Sequence, residues 1–221
     1  MSKALISGII SILVSIIPFF CLAQSKVLLG IDVLIRDDFR ILQGKRVGLV
    51  ANSSSRSSTQ KMTVEYFVNN PNFTFTAIFT PEHGFFTTIP AGMSVPDDSI
   101  YGVPLFSLYG SNRKPTPYQL SMVDIIVFDL QDIGVRSYTY ISTLFKVMEA
   151  CAEFDIPLVV LDRPNPLGGN LVDGNVTDSD KISFVSIIPV PYLHGCTIGE
   201  IALMVNGEGW LKSNGSAKRC N

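Results

Sequence analysis

Alternation of short apolar runs with helix-like stretches is the feature that most limits how this chain can fold. Four runs rich in β-branched residues end in polar or turn residues: Arg46 to Asn52, Thr74 to Thr80, Val123 to Asp129 and Pro157 to Asp162. Continuous apolar runs of this length are typical of parallel strands buried on both faces. Helix-like stretches lie between and after them: Thr59 to Val68, Tyr138 to Phe154 and Thr197 to Trp210. This order predicts an α/β fold with a Rossmann-like, doubly wound, mostly parallel sheet.

The N-terminus reads as a secretory signal peptide. Lys3 precedes an apolar run from Ala4 to Leu22, and Ala23 offers a small residue for signal peptidase just before Gln24. We therefore expect residues 1–23 to be removed and residues 24–221 to form one exported domain, in the periplasm or outside the cell. A membrane anchor and a lipoprotein acylated at Cys21 are the alternatives, and the polar and bulky residues of the run oppose both.

Composition removes several classes of function. The chain carries 17 basic and 19 acidic side chains, so no electrostatic attraction to nucleic acid or to an anionic membrane follows. Asn52 and three serines follow the first strand in place of a glycine-rich nucleotide loop. Cys151, Cys196 and Cys220 show no paired short spacing, and Cys151 fits the apolar face of a helix. No cofactor, no nucleic-acid partner and no stable membrane insertion are predicted.

Polar residues follow every predicted strand. Ligands bind at the carboxyl ends of the strands in open parallel sheets, so these residues are the candidate site. They are Asn52, Glu82 and His83, Asp129 and Asp132, Asp162, Arg163 and Asn165, with His194 ahead of the last helix. Any one of them could simply cap a helix or form a turn. Because the topology brings them all to one edge, together they predict an active site.

Five longer motifs make the prediction specific. They are Phe79 to Gly84, Ser107 to Gly110, Asp129 to Arg136 with Tyr138 to Tyr140, Leu161 to Gly169, and His194 to Glu200. In order and spacing, from about Leu28 to Leu211, the chain resembles the exo-β-N-acetylmuramidase (NamZ-like) family. It departs from the family pattern at Phe85 to Thr87 and at Ser53 to Ser55. Members of that family continue into a smaller C-terminal region, so the resemblance implies that the 221-residue chain is truncated before it.

The resemblance implies hydrolysis of the terminal, non-reducing N-acetylmuramic acid of peptidoglycan-derived saccharides. Such chemistry needs an acid for the leaving oxygen and a second group at the oxocarbenium-like centre. We predict Glu82 as the general acid, oriented or assisted by His83, with its pKa raised by a partly buried loop. Asp129 and Asp132 are candidates for nucleophile or positioning base. The 2-acetamido group of the substrate is the alternative nucleophile.

The substrate contacts are predicted with their structural alternatives. Arg136 and Arg163 suit the lactyl carboxylate of muramic acid, because guanidinium binds carboxylate in bidentate fashion. Equally, they could form ion pairs with Asp132 or Asp162. Tyr138 and Tyr140 could contact the sugar or belong to the core. The remaining predicted contacts are Asn52, Asp162, Asn165 and His194.

Two other functions use the same residues. A metal-dependent hydrolase could use Glu82, His83, Asp129, Asp132 and His194 as ligands, although no short His-x-x-x-His pair is present. A non-catalytic module that binds sugar or peptidoglycan would keep the arginine and tyrosine contacts without needing Glu82.

Processing of the N-terminus can be measured directly. N-terminal sequencing of exported protein should begin at Gln24, or within a residue or two of it, because Ala23 supplies the small residue before the cleavage point. Cytoplasmic protein that keeps Met1 would contradict the expectation of a signal peptide.

Overall fold

A six-stranded sheet organises the chain in the computed structural model, which describes residues 27–213 and 216–221. The strands in chain order are β1 (Arg46–Ala51), β2 (Thr74–Thr80), β3 (Asp98–Ile100), β4 (Val103–Ser107), β5 (Ile125–Asp129) and β6 (Leu158–Val160). Their spatial order is β3-β4-β2-β1-β5-β6, and only the β3–β4 pair is antiparallel. The predicted Rossmann-like, mostly parallel sheet is confirmed. The predicted signal segment, residues 1–23, lies outside the described residues.

Among the residues that the structure describes, five helices flank the sheet. They are α1 (Gly30–Arg36), α2 (Thr63–Phe67), α3 (Pro117–Leu120), α4 (Tyr140–Phe154) and α5 (Ile198–Gly207). Short 3-10 turns at Arg40–Leu42 and Ser179–Lys181 and a small ribbon of β7 (Lys212–Ser213) and β8 (Ser216–Ala217) complete the described elements. None of the helices in the described ranges is long and apolar enough to cross a membrane.

The sheet is covered on both faces, which explains why the central strands β1 and β5 are apolar along almost their whole length. Leu49 packs into a core under α1 and α2, whereas the next residue, Val50, packs into a core under α4 and α5. Phe128 of β5 belongs to the second core and Val127 to the first, so the same alternation holds there. Successive side chains of a strand point to opposite faces, and both faces are therefore apolar here.

The strand order reverses between β1 and β5. Chain connections lead from β1 outward through β2 to one edge, and from β5 outward through β6 to the other. Ala51 and Asp129, the last residues of β1 and β5, are register partners at the carboxyl edge. Such a reversal leaves a crevice where ligands bind in open α/β sheets. The residues that follow β1, β2, β5 and β6 consequently surround one crevice.

Some predicted elements differ from the observed ones. The stretch Thr59 to Val68 was expected to be helical throughout, but α2 begins only at Thr63. Ahead of it, Ser57 N–H donates to the Lys61 carbonyl and the Ser57 and Thr59 hydroxyls contact each other. Local bonds of this kind compete with helix formation. The β3–β4 hairpin was not predicted, since β3 is short and polar and β4 contains a proline. The short helix α1 was not predicted either.

Candidate active site

Glu82 is a buried carboxylate with a hydrogen-bond donor on each oxygen. It lies in the turn after β2, with 8% of its surface exposed. Gly92 N–H donates to Oε1 at 3.0 Å and the Thr139 hydroxyl donates to Oε2 at 2.8 Å. The Tyr109 hydroxyl lies near enough to lower the pKa of the carboxyl. Two segments of the chain far from β2 therefore hold the Glu82 carboxylate, and a third lies beside it.

These donors set the protonation state of Glu82. Burial raises the pKa of the carboxyl, but the hydrogen bonds from Gly92, Thr139 and Tyr109 and the nearby His83 lower it by more. The net pKa lies below its ordinary value, so Glu82 is ionised in the unliganded domain. The sequence-based expectation of a raised pKa is wrong for this state. A loop rich in donors stabilises the charged form, which burial alone would not do.

Tyr109 and Thr139 are site residues that sequence reasoning missed. Burial and the Glu82 carboxylate raise the pKa of the Tyr109 hydroxyl, which keeps it a donor. Thr139 is the N-cap residue of α4, so its position is fixed by the start of that helix. Both stand inside motifs that carry the family resemblance, and that membership was the available signal.

His83 is fixed beside Glu82 by its backbone and its ring. Its φ of 73° lies in the left-handed region, and Nδ1 lies 2.8 Å from the Ile89 carbonyl oxygen. Because a carbonyl oxygen only accepts, Nδ1 carries a proton in this bond. The Nε2 atom is then the position of the ring that remains for a ligand.

Asn52 and the two predicted tyrosines form a second layer next to Glu82. Asn52 Nδ2 donates to the Tyr140 hydroxyl at 2.6 Å, and the Tyr138 and Tyr140 rings lie 4.5 Å apart between centroids. Asn52 and Tyr140 are almost fully buried, and burial together with Tyr138 raises the pKa of Tyr140. Tyr138 is half-buried. Of the three, Tyr138 has the surface to contact a sugar, while Asn52 and Tyr140 support it from below.

Asp129 is held in a buried ion pair. Arg163 Nε donates to Asp129 Oδ1 at 2.6 Å, and the Thr63 hydroxyl donates to Oδ2. The exposed fractions are 0% for Asp129 and 5% for Arg163. Arg163 Nη2 also donates to the Arg56 carbonyl at 2.9 Å. Both Asp129 oxygens thus have partners, and Arg163 pairs with Asp129 rather than with Asp132 or Asp162.

Asp132 and His194 are buried side by side with free polar atoms. Each is 4% exposed, and Asp132 Oδ2 lies 3.3 Å from His194 Nε2 without the alignment of a hydrogen bond. Gly134 N–H donates to the same Oδ2, whereas Asp132 Oδ1 has no partner. His194 Nδ1 accepts from Cys196 N–H, so the proton of the neutral ring sits on Nε2. Oδ1 and Nε2 are buried and have no hydrogen-bond partner among the described residues.

The other predicted contacts serve the loops in this structure. Asp162 accepts from the Thr197 hydroxyl at 2.9 Å and from Gly199 N–H at 2.7 Å, and so caps α5. The Thr197–Glu200 capping box predicted for this helix is also present.

Asn165 and Arg136 tie neighbouring loops to each other. Asn165 Nδ2 donates to the Cys196 carbonyl at 3.0 Å, and Gly134, at a φ of 81°, packs against the Asn165 amide. Arg136 Nη1 donates to the carbonyl oxygens of Asn175 and Val190, so it is not paired with Asp132 or Asp162.

No metal centre is formed by the candidate ligands. Within the part of the chain that the structure describes, no three His, Cys, Asp or Glu side chains are grouped closely enough to hold a metal ion. Nδ1 of His83 and Nδ1 of His194 are both used by backbone groups.

The fold and the site define a class: a Rossmann-like α/β domain with a carboxylate-centred site at the carboxyl edge of its sheet. Comparison with known sequences identifies the family. The chain belongs to the family described as exo-beta-N-acetylmuramidase NamZ, N-terminal, whose profile matches residues 47–219.

Relatives and solved structures agree with this membership. The chain is 46% identical over 187 residues to the peptidoglycan beta-N-acetylmuramidase NamZ of Bacillus subtilis (strain 168), covering 84% of this chain and 45% of that protein. Two DUF1343 family proteins of Bacteroides fragilis NCTC 9343 have similar structures. One has a TM-score of 0.79 and 46% identity over 88% of this chain and 48% of its own. The other has a TM-score of 0.73 and 39% identity over 89% and 50%. The chain therefore spans about half the length of these relatives.

Removing one donor should raise the pKa of Glu82. In Thr139→Val the charged carboxylate loses the bond to Oε2, so its pKa should rise towards or above the ordinary value. Tyr109→Phe should shift it in the same direction. A carbon-detected NMR titration of the Glu82 carboxyl, assigned with Glu82→Gln, measures the change.

Thr76→Val is the matched control for this titration. Its hydroxyl donates to the Val47 carbonyl, near the amino end of the sheet. An unchanged Glu82 pKa in Thr139→Val, or an equal rise in Thr76→Val, would show that the Thr139 bond does not set the charge.

Proposed function

We propose that this domain carries the catalytic site of an exo-acting β-N-acetylmuramidase that releases terminal, non-reducing N-acetylmuramic acid from peptidoglycan fragments. The observation that supports the proposal most strongly is Glu82, a buried carboxylate with a hydrogen-bond donor on each oxygen, at the crevice where the strand order reverses. Family membership and the peptidoglycan beta-N-acetylmuramidase activity for which the Bacillus subtilis relative is named add to it.

In this proposal Glu82 protonates the leaving glycosidic oxygen. Since its donors keep it ionised in the unliganded domain, protonation accompanies substrate binding. A bound sugar displaces water, and its hydroxyl groups compete for the Thr139 and Tyr109 hydroxyls. Both effects raise the pKa of the carboxyl in the complex. His83 lies on the same loop and is fixed through Nδ1. In this proposal its Nε2 atom passes the proton to Glu82.

The second role falls to Asp132 rather than Asp129. Asp129 uses both oxygens for Arg163 and Thr63, so it holds the loops together. Asp132 has Oδ1 without a partner and lies beside the free Nε2 of His194. We infer that this pair orients the reacting sugar, either its 2-acetamido group or the attacking water.

The protein is proposed to act outside the cytoplasm. The signal-like residues 1–23 motivate this step, and peptidoglycan fragments are found there.

Replacing Glu82 should damage turnover more than binding. Glu82→Gln keeps the shape of the side chain but has no proton to give, so kcat on an aryl N-acetylmuramide should fall at least about 10²-fold while KM changes little. The loss should shrink for an aglycone that leaves without protonation. Steady-state kinetics on two aglycones of different leaving ability measure both effects.

Glu208→Gln is the control for Glu82→Gln, because Glu208 is exposed and caps the far end of α5. Near-normal turnover of Glu82→Gln on a poor leaving group would overturn the acid assignment. Binding without turnover in the wild type would instead indicate a sugar-binding module.

The two aspartates should separate stability from catalysis. Asp129→Asn removes the charge opposite buried Arg163, so the free energy of unfolding should fall by about 3–5 kcal/mol. Asp132→Asn should unfold at nearly the wild-type denaturant concentration, yet lose at least about 10-fold in kcat. Denaturation and kinetics on the same preparations test both statements. A stable, inactive Asp129→Asn would reverse the assignment.

A further inference from the structure

Arg113 is a cation near Glu82 that neither the fold nor the proposed chemistry uses. It follows the Tyr109 motif in the long loop after β4 and is exposed. Its Cζ lies 4.4 Å from the centroid of the Phe184 ring and 5.7 Å from that of the Tyr109 ring. Within the described ranges, no carboxylate lies within ion-pair distance of Arg113.

The two rings hold the guanidinium without using its donors. Tyr109 and Phe184 lie 6.0 Å apart between centroids, and both are half-buried. Contact with an aromatic face leaves the N–H groups at the edge of the guanidinium plane free. A guanidinium held in this way is prepared to bind a carboxylate with two parallel hydrogen bonds.

Tyr109 connects this cation to the reacting centre. Its hydroxyl lies near the Glu82 carboxylate, whose pKa it lowers, while its ring faces Arg113. A ligand with its reacting oxygen at Glu82 therefore has Arg113 one aromatic ring away. This separation suits a saccharide that carries a carboxylate on a substituent of the same ring.

A polar hollow of about 230 Å³ lies beside Tyr109, and residues of the loop that leads to Arg113 line part of it. It is lined by Val95, Pro96, Asp97, Ser107, Tyr109, Ser111 and Asn112. Asp97 is anchored by Ser107 N–H at 2.7 Å, which leaves its second oxygen for a hydroxyl donor. Hydroxyl and amide groups of this kind are suited to sugar hydroxyls.

The arginines named from the sequence are less suited to this role. Arg163 is buried against Asp129, and Nη1 of Arg136 donates to two backbone carbonyl oxygens. Of these three arginines, Arg113 is the one whose guanidinium has no hydrogen-bond acceptor among the described residues.

We propose that Arg113, packed against Phe184 and Tyr109, binds the lactyl carboxylate of N-acetylmuramic acid and makes the site select this sugar over N-acetylglucosamine. N-Acetylglucosamine is the same ring without the lactyl group. The inference rests on the proposed function, because Arg113 would bind the lactyl group that distinguishes the proposed substrate from other sugars.

Binding of the two free sugars tests the role of Arg113. Calorimetric titration of the wild-type protein should show tighter binding of N-acetylmuramic acid than of N-acetylglucosamine. Arg113→Met should weaken binding of N-acetylmuramic acid about 10- to 100-fold, the range for a lost charged hydrogen bond, and leave N-acetylglucosamine unchanged. Arg113→Lys keeps the charge without the fork and should restore part of the preference.

Arg36→Met is the charge-matched control, because Arg36 is exposed at the end of α1 that lies towards the amino ends of the strands. Equal weakening for both sugars, or a preserved preference in Arg113→Met, would overturn the role of Arg113. Turnover of an aryl N-acetylmuramide is measured in parallel. If the wild-type protein selects N-acetylmuramic acid through Arg113 but never hydrolyses the glycoside, the proposed function fails and this inference stands.

Discussion

The buried ion pair between Asp129 and Arg163 is the interaction on which the carboxyl edge of the sheet depends. Asp129 ends β5, Arg163 follows β6, and Thr63 opens α2 against the same carboxylate. Arg163 also reaches the Arg56 carbonyl in the loop after β1. One fully desolvated pair thus joins the segments after three strands. Such a pair adds little net stability against an apolar replacement, but losing one partner is costly, which makes it a strong constraint on loop geometry.

Around this fixed edge the site keeps a carboxylate charged while removing it from water. Glu82 receives donors from the loop at Gly92 and from the N-cap residue of α4, and Tyr109 after β4 lies near it. These donors are in place before any ligand arrives, so the site is organised electrostatically in advance. In the proposed chemistry, a bound sugar competes for these donors. The pKa of Glu82 then rises, and the carboxyl becomes protonated in the complex. Arg113 and its aromatic neighbours extend the same surface towards a second charge.

The sequence predicted the architecture well because both faces of the sheet are buried. Arg46–Ala51, Thr74–Thr80 and Ile125–Asp129 were recognisable as short runs rich in apolar and β-branched residues, and α5 by its capping box. The β3–β4 hairpin was missed because its residues are polar or include proline. Polar residues after the strands were correctly placed at one edge.

The roles of those residues could not be obtained from the same pattern. Whether an aspartate at a strand end is free or paired depends on residues far away in sequence, as Arg163 is from Asp129. The direction of the Glu82 pKa shift depends on Gly92 and Thr139, whose contacts with Glu82 the local sequence does not show. Arg113 attracts notice only when Phe184, 71 positions later, is seen beside it.

A crystal structure of the protein with N-acetylmuramic acid bound tests the central claim most directly. We expect the sugar to lie in the crevice, with its anomeric oxygen in hydrogen-bond contact with Glu82. We also expect the hydroxyl of Thr139 or Tyr109 to have turned from Glu82 to the sugar. A sugar bound elsewhere, with Glu82 still held by Gly92, Thr139 and Tyr109, would contradict it.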